Sequence, residues 1–177
     1  MFIDISILFK VFFNICRLRI GPEDLPKSNE LLIVCLIVYT LLDIIFVLLS
    51  EPLIDAVLAG FIETFLLMLI TFAILNMNRK PERWAQTVTA LSGTGFLLGL
   101  IALPVFYGIT VDNADPTLKS VLLIFYTLLI MWNIAIIAHI LRHAIDTTFG
   151  FGILLAIGYI MITAMAIVMM LPDQGIS

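Results

Sequence analysis

Charge is what this chain has least of. Only 12% of its 177 residues are Asp, Glu, Lys or Arg, about half the ~25% usual in soluble domains, while 62% are hydrophobic. A water-soluble chain of this length could not hide that much apolar surface. Basic tracts are missing as well. The nine Lys and Arg are scattered, which excludes the electrostatic footprint of a nucleic-acid-binding protein. The thirteen acids form no acidic tail, so the net charge of −4 singles out no partner. Cysteine is scarce: Cys16 and Cys35 form neither a disulfide framework nor zinc-ligand spacing, and they read as free thiols. A Ser/His/Asp set, a flavin or nucleotide fingerprint and a haem-type pairing of histidines across two spans are all lacking. Gly93-Thr94-Gly95 has neither the strand before it nor the Lys-Ser/Thr ending of a phosphate loop. The chain is therefore expected to be no enzyme and to need no cofactor or metal.

What is present is a series of long apolar runs, at residues 31–49, 53–75, 88–109, 118–138 and 151–171. A bilayer core of ~30 Å needs about 20 helical residues, and each run comes close to that. A spanning segment must satisfy its own backbone hydrogen bonds, so the expected class is all-α integral membrane, with five transmembrane helices. Ser50-Glu51-Pro52 is the whole connection between the first two spans and forces a tight antiparallel hairpin. The later connections are 76–84, 110–117 and 139–150, and a short external tail covers 172–177. Ser28 is a plausible cap for the first span, and Pro104 is placed to kink the third.

Residues 1–20 are apolar but have no basic start and no small-residue cleavage site, so they do not read as a signal peptide. At helical spacing Ser6, Lys10, Asn14 and Arg17 share one stripe, and Phe2, Ile5, Phe9, Phe12, Phe13 and Cys16 cover the other side. This pattern predicts an amphipathic helix lying in the bilayer interface. The alternative is a helix that covers the bundle or binds a partner. A Gly/Pro linker follows at 21–30, and the membrane domain occupies 31–171. Lys10, Arg17, Arg19 and Lys27, then Arg79, Lys80 and Arg83, then Arg142 all fall on one side of the predicted membrane, and only Lys119 falls on the other. The positive-inside rule then predicts N-terminus in and C-terminus out. Asp112, Asp115 and Asp173 on the outer side agree.

Two acids lie at membrane depth. Cys35, Tyr39, Asp43 and Ser50 share a stripe of the first span, as do Ala56, Gly60, Glu63 and Thr71 of the second. Folding the hairpin sets Asp43 level with Gly60, and Glu63 level with Tyr39 or Thr40, within about a turn of one another. A charge at the centre of a spanning helix costs ~2.5–3.5 kcal/mol, and no Lys or Arg lies within a span to offset it. Glu63 is thus expected to be protonated and hydrogen-bonded. The pair serves either as a polar clasp between helices or as a relay for a proton or a cation. Asn133, in the fourth span beside Trp132, needs a partner and is able to reach these acids or another subunit. Gly95 and Gly99 form a G-x-x-x-G pair suited to close packing, inside the bundle or between subunits. Gly150, Gly152 and Ala156 offer a similar face. His139, Arg142, His143 and Asp146 have spacing that permits a metal, but they sit where the fourth span leaves the membrane, and a solvated helix end is expected there.

The stretch Arg19-Ile20-Gly21-Pro22-Glu23-Asp24-Leu25-Pro26, just ahead of five closely spaced spans, resembles the Yip-domain family, named for interacting with Rab/Ypt GTPases. In layout the resemblance covers residues 17–171; in residues it is confined to the Gly-Pro element. Eukaryotic members have a longer soluble N-terminal region and an Asp-Leu-Tyr-Gly-Pro motif, in place of which this chain has Arg17-Leu18-Arg19-Ile20-Gly21-Pro22. It looks more like the compact bacterial Yip-like form. That resemblance implies a scaffold or accessory role in a bacterial inner membrane. The expected function is therefore non-enzymatic binding of other membrane proteins, in contact with the lipid bilayer, with a membrane-protein partner or as a homo-oligomer. The alternatives are a small transporter or channel-like subunit using Asp43 and Glu63, or an accessory subunit of a larger membrane enzyme.

Overall fold

The computed structural model describes residues 5–111 and 115–170, and every regular element in them is helical. The stripe residue Phe2, the outer acids Asp112 and Asp173, and the tail at 172–177 lie outside the described residues. A short helix α1 (Ile5–Cys16) and a 3-10 turn (Pro22–Asp24) precede α2 (Asn29–Leu48) and α3 (Leu53–Met77). A second 3-10 turn (Pro81–Arg83) leads into α4 (Trp84–Thr110), followed by α5 (Pro116–Ile145) and α6 (Phe149–Met170). By length and composition, α2 to α6 are five helices able to cross a membrane.

Local chemistry sets the helix ends. Ser28 Oγ accepts a hydrogen bond from Leu31 N at 3.3 Å and caps α2. Asp115 Oδ1 accepts from Thr117 N at 2.9 Å and, with Pro116 in the first turn, starts α5. Asp146 ends α5 in the left-handed conformation, at φ 54°. α4 runs through Pro104 without a break.

The long helices form a ring. α2 packs on α3 and α4, α4 on α5, and α5 on α6, while a looser α3–α6 seam closes it. α1 lies against α4 and α5, with Phe12 and Ile15 buried under it. Phe12 occupies the space left by the missing side chain of Gly93. The Trp132 indole N–H donates to the Cys16 carbonyl at 3.1 Å and holds the end of α1 to α5. Phe9 and Phe13 stay exposed, with their rings stacked at 6.4 Å, and the Arg17 guanidinium lies 5.7 Å from the Phe13 ring. The apolar side of α1 is therefore divided between a face that covers the bundle and a face left open.

One end of the bundle collects the 3-10 turns and the α5–α6 junction. Gln86 Nε2 donates to the Leu25 carbonyl at 2.6 Å, and Arg83 Nη1 reaches the His143 and Ala144 carbonyls at 3.1 Å each. The expectation of a solvated end at His139 needs correction. α5 continues to Ile145, and His139 is 2% exposed, with Nε2 2.9 Å from the Ile20 carbonyl. The segment after α1 folds over His139, so its ring meets a backbone carbonyl from a distant part of the chain, while Arg142 and His143 stay partly exposed and Asp146 exposed. His143 Nδ1 lies 2.9 Å from Glu23 Oε1 and ties the first 3-10 turn to α5.

Asp146 pairs with both Lys80 and Arg83, the latter at 3.0 Å. The hydrogen bond from Lys80, then that from Arg83, holds its carboxyl down at about 2. A depressed carboxyl stabilises the fold fully above its ordinary value of 3.8, and that contribution disappears as pH falls through about 2. Asp146→Asn is therefore expected to melt below the parent protein at neutral pH, with the gap closing on acidification through this window. A gap that stays constant with pH would contradict the pairing.

Candidate functional site

A cavity of about 400 Å³ occupies the middle of the ring, and all five long helices contribute to its lining. Its position follows from the α2–α3 hairpin. With only Ser50-Glu51-Pro52 between them, the two helices are held in one register. The Tyr39 hydroxyl donates to Glu63 Oε1 at 3.2 Å, and the Thr40 and Thr64 hydroxyls meet at 2.7 Å. Thr40 also donates to the Leu36 carbonyl at 2.8 Å, so Thr64 is the donor in the pair. Gly60 lets the backbones approach: a Cβ there would lie 3.3 Å from both the Thr40 carbonyl oxygen and the Ile44 amide nitrogen. This part of the hairpin is a polar clasp.

Asp43 lies beside that clasp, next to the Tyr39 hydroxyl. Its Oδ2 is completely buried and has no hydrogen-bond partner among the described residues. Asp43 and Glu63 line the same cavity as Tyr39, Asn133, Tyr159 and Thr163, and no Lys or Arg is among the lining residues. All four polar residues singled out in the spans, Tyr39, Asp43, Glu63 and Asn133, therefore converge on one space.

The rest of the wall is apolar and aromatic. Toward the basic end it closes on Leu67, Leu91 and Ile137, all buried. Toward the other end stand Phe46 and Tyr126, linked through Phe106 by ring separations of 5.7 and 5.6 Å. Gly95 and Gly99 present α4 to α2. A Cβ on Gly95 would lie 2.8 Å from the Tyr39 ring, and one on Gly99 would overlap Leu42 and come within 3.7 Å of Phe46. The glycine pair thus packs inside the bundle. Gly99→Leu is expected to destabilise the protein by ~1–3 kcal/mol through overpacking. An unchanged melting temperature and elution volume would refute that placement.

Tyr126, Tyr159 and Thr163 were not predicted as site residues. Tyr159 and Thr163 are four apart and share a helix face with Ala156, which is the one signal α6 offered. The basic residues lie away from the cavity: Lys10, Arg17 and Arg19 are exposed on or just after α1, Arg79 sits in the α3–α4 connection, and Lys80 and Arg83 pair with Asp146. Comparison of the chain with family models, curated proteins and solved structures finds no match.

Proposed function

We propose that this chain is a non-enzymatic inner-membrane protein, a small transporter or channel-like subunit that takes a cation into its central cavity. One observation carries the reading: Asp43 Oδ2 is buried and unpaired beside Glu63, in a cavity with no basic residue among its lining. An uncompensated carboxylate at this depth costs ~2.5–3.5 kcal/mol or more. A proton neutralises it when the cavity is empty, and a bound cation does so when the cavity is loaded. A clasp between helices needs only Glu63, which already has Tyr39. Asp43 Oδ2 has no such partner among the described residues.

The end carrying α1 and the 3-10 turns faces the cytoplasm in this reading, because eight of the nine Lys and Arg belong to it. α1 in this reading is a cover helix on the cytoplasmic half of α4 and α5, with Phe12 against Gly93, Cys16 held by Trp132, and Phe9 and Phe13 left facing outward. A bacterial inner membrane and a Yip-like ancestry agree with the same layout. A scaffold or accessory role is a second reading, favoured by the stacked Phe9–Phe13 pair and by the uncovered apolar faces of α5, where Val121, Ile124 and Leu128 are all more than half exposed. It would bring a membrane-protein partner or a second copy of the chain to that surface.

The test is cation-driven proton movement in proteoliposomes. The purified protein is expected to support it, and Asp43→Asn with Glu63→Gln to eliminate it. Equal rates in both would remove the transport reading. A single stoichiometric partner after purification in mild detergent would then favour the scaffold.

A further inference from the structure

We infer that the cation is a protonated organic amine, an ammonium ion that keeps an N–H, with its head beside Asp43 and Glu63 and its apolar body against the Phe46 and Tyr126 rings. This rests on the cation-binding reading above and names the class of ligand.

Size is the first reason. A volume of about 400 Å³ lies within the ~300–1,000 Å³ typical of small-molecule sites and far exceeds the ~30 Å³ that one water occupies in the liquid. A dehydrated metal ion would leave most of it unfilled. The donor set is the second. Calcium takes ~6–8 oxygen ligands, whereas among the described residues no group of three or more His, Cys, Asp or Glu is placed to hold a metal. The Thr163 hydroxyl donates to backbone carbonyls of its own helix, at 3.2 Å from Tyr159 O and 3.0 Å from Ile160 O. Apart from Asn133 and the tyrosine hydroxyls, the remaining wall is hydrocarbon and aromatic.

That wall suits an organic body. Tyr39, Phe46, Tyr126 and Tyr159 line the same cavity as the acids, and an ammonium within ~6 Å of a ring centroid is attracted by its quadrupole. Asp43 adds a specific demand, because its carboxyl lines the cavity and one of its oxygens has no partner among the described residues. An ammonium that keeps an N–H supplies a charge-assisted hydrogen bond, and a quaternary ammonium does not. Loading is a balanced exchange. Protonated Asp43 releases its proton as the ammonium enters while Glu63 keeps its own, so carboxylic acid plus ammonium becomes an ion pair plus one free proton.

The experiment is calorimetric titration of the full chain in detergent with 2-phenylethylammonium, its N,N,N-trimethyl analogue, Na⁺ and K⁺. Saturable binding of the primary ammonium is expected, about tenfold or more tighter than its trimethyl analogue, the ratio that one charge-assisted hydrogen bond provides. Asp43→Asn should abolish it, and Tyr126→Leu, which leaves both carboxyls in place, should weaken it while melting normally. Amine binding indifferent to both substitutions would be partition into apolar surface and would overturn the inference. Asp43-dependent binding of Na⁺ or K⁺ without amine binding would overturn it and leave the cation reading standing. No binding of any of the four would overturn both.

Discussion

Asp43→Leu is expected to raise the melting temperature of the solubilised protein and to abolish the cation binding proposed for its cavity. The stability gain follows from burial without a partner. Asp43 Oδ2 forms no hydrogen bond inside the bundle, and leaving such a group unmade costs ~1–3 kcal/mol. Leucine removes that cost and fills part of the cavity. A gain of about 2 kcal/mol corresponds to roughly 4–8 °C for a chain of this size. Glu63→Leu should behave in the opposite way, because it deprives the Tyr39 hydroxyl of its acceptor and leaves that donor buried. The two acids differ in their neighbours and should differ in the sign of their effect on stability. A fall in stability for both would mean that Asp43, like Glu63, is held by a partner inside the bundle.

Gly152→Leu is the substitution expected to damage the fold most. A Cβ at Gly152 would run into the Ala138 carbonyl oxygen and lie 3.3 Å from Arg142 Cβ, so the obstacle is the α5 backbone itself. A leucine forces the α5–α6 contact apart, which costs ~1–3 kcal/mol or more when neither backbone is free to move. Gly150 provides an internal control: a Cβ there meets nothing within 4 Å. Gly150→Leu should melt at or above the parent temperature, since Leu is the better helix former. Of the close-packing face expected at Gly150, Gly152 and Ala156, only the last two are therefore in use, and Ala156 is completely buried. Equal melting temperatures for the two leucine variants would refute this packing.

The spans were legible because a bilayer imposes a length, and residues 31–49 or 53–75 are close to that length whatever they pack against. The α2–α3 register was legible because a three-residue connection leaves little freedom to slide, and Tyr39 meets Glu63 across it. Other features depend on contacts that no local pattern encodes. His139 lies on the Ile20 carbonyl and Gln86 on that of Leu25, partners separated by 119 and 61 residues in the chain. The periodicity of α1 separated its polar stripe from its apolar side, but not Phe12, which meets Gly93, from Phe13, which remains open. The G-x-x-x-G pattern at Gly95 and Gly99 announced close approach without naming the helix that approaches. Tyr126 and Tyr159 resembled ordinary aromatic packing, since nothing in an apolar span distinguishes a ring that faces a cavity from one that faces lipid.

The central claim is that the paired carboxyls exchange a proton for a cation. It is tested most directly by following the pH of a weakly buffered solution of the detergent-purified protein as 2-phenylethylammonium is added. The account predicts release of about one proton per cation bound, the stoichiometry of filling a single carboxyl-lined site. It predicts no release from the variant combining Asp43→Asn and Glu63→Gln. Binding without proton release, or the same release from that variant, would contradict it.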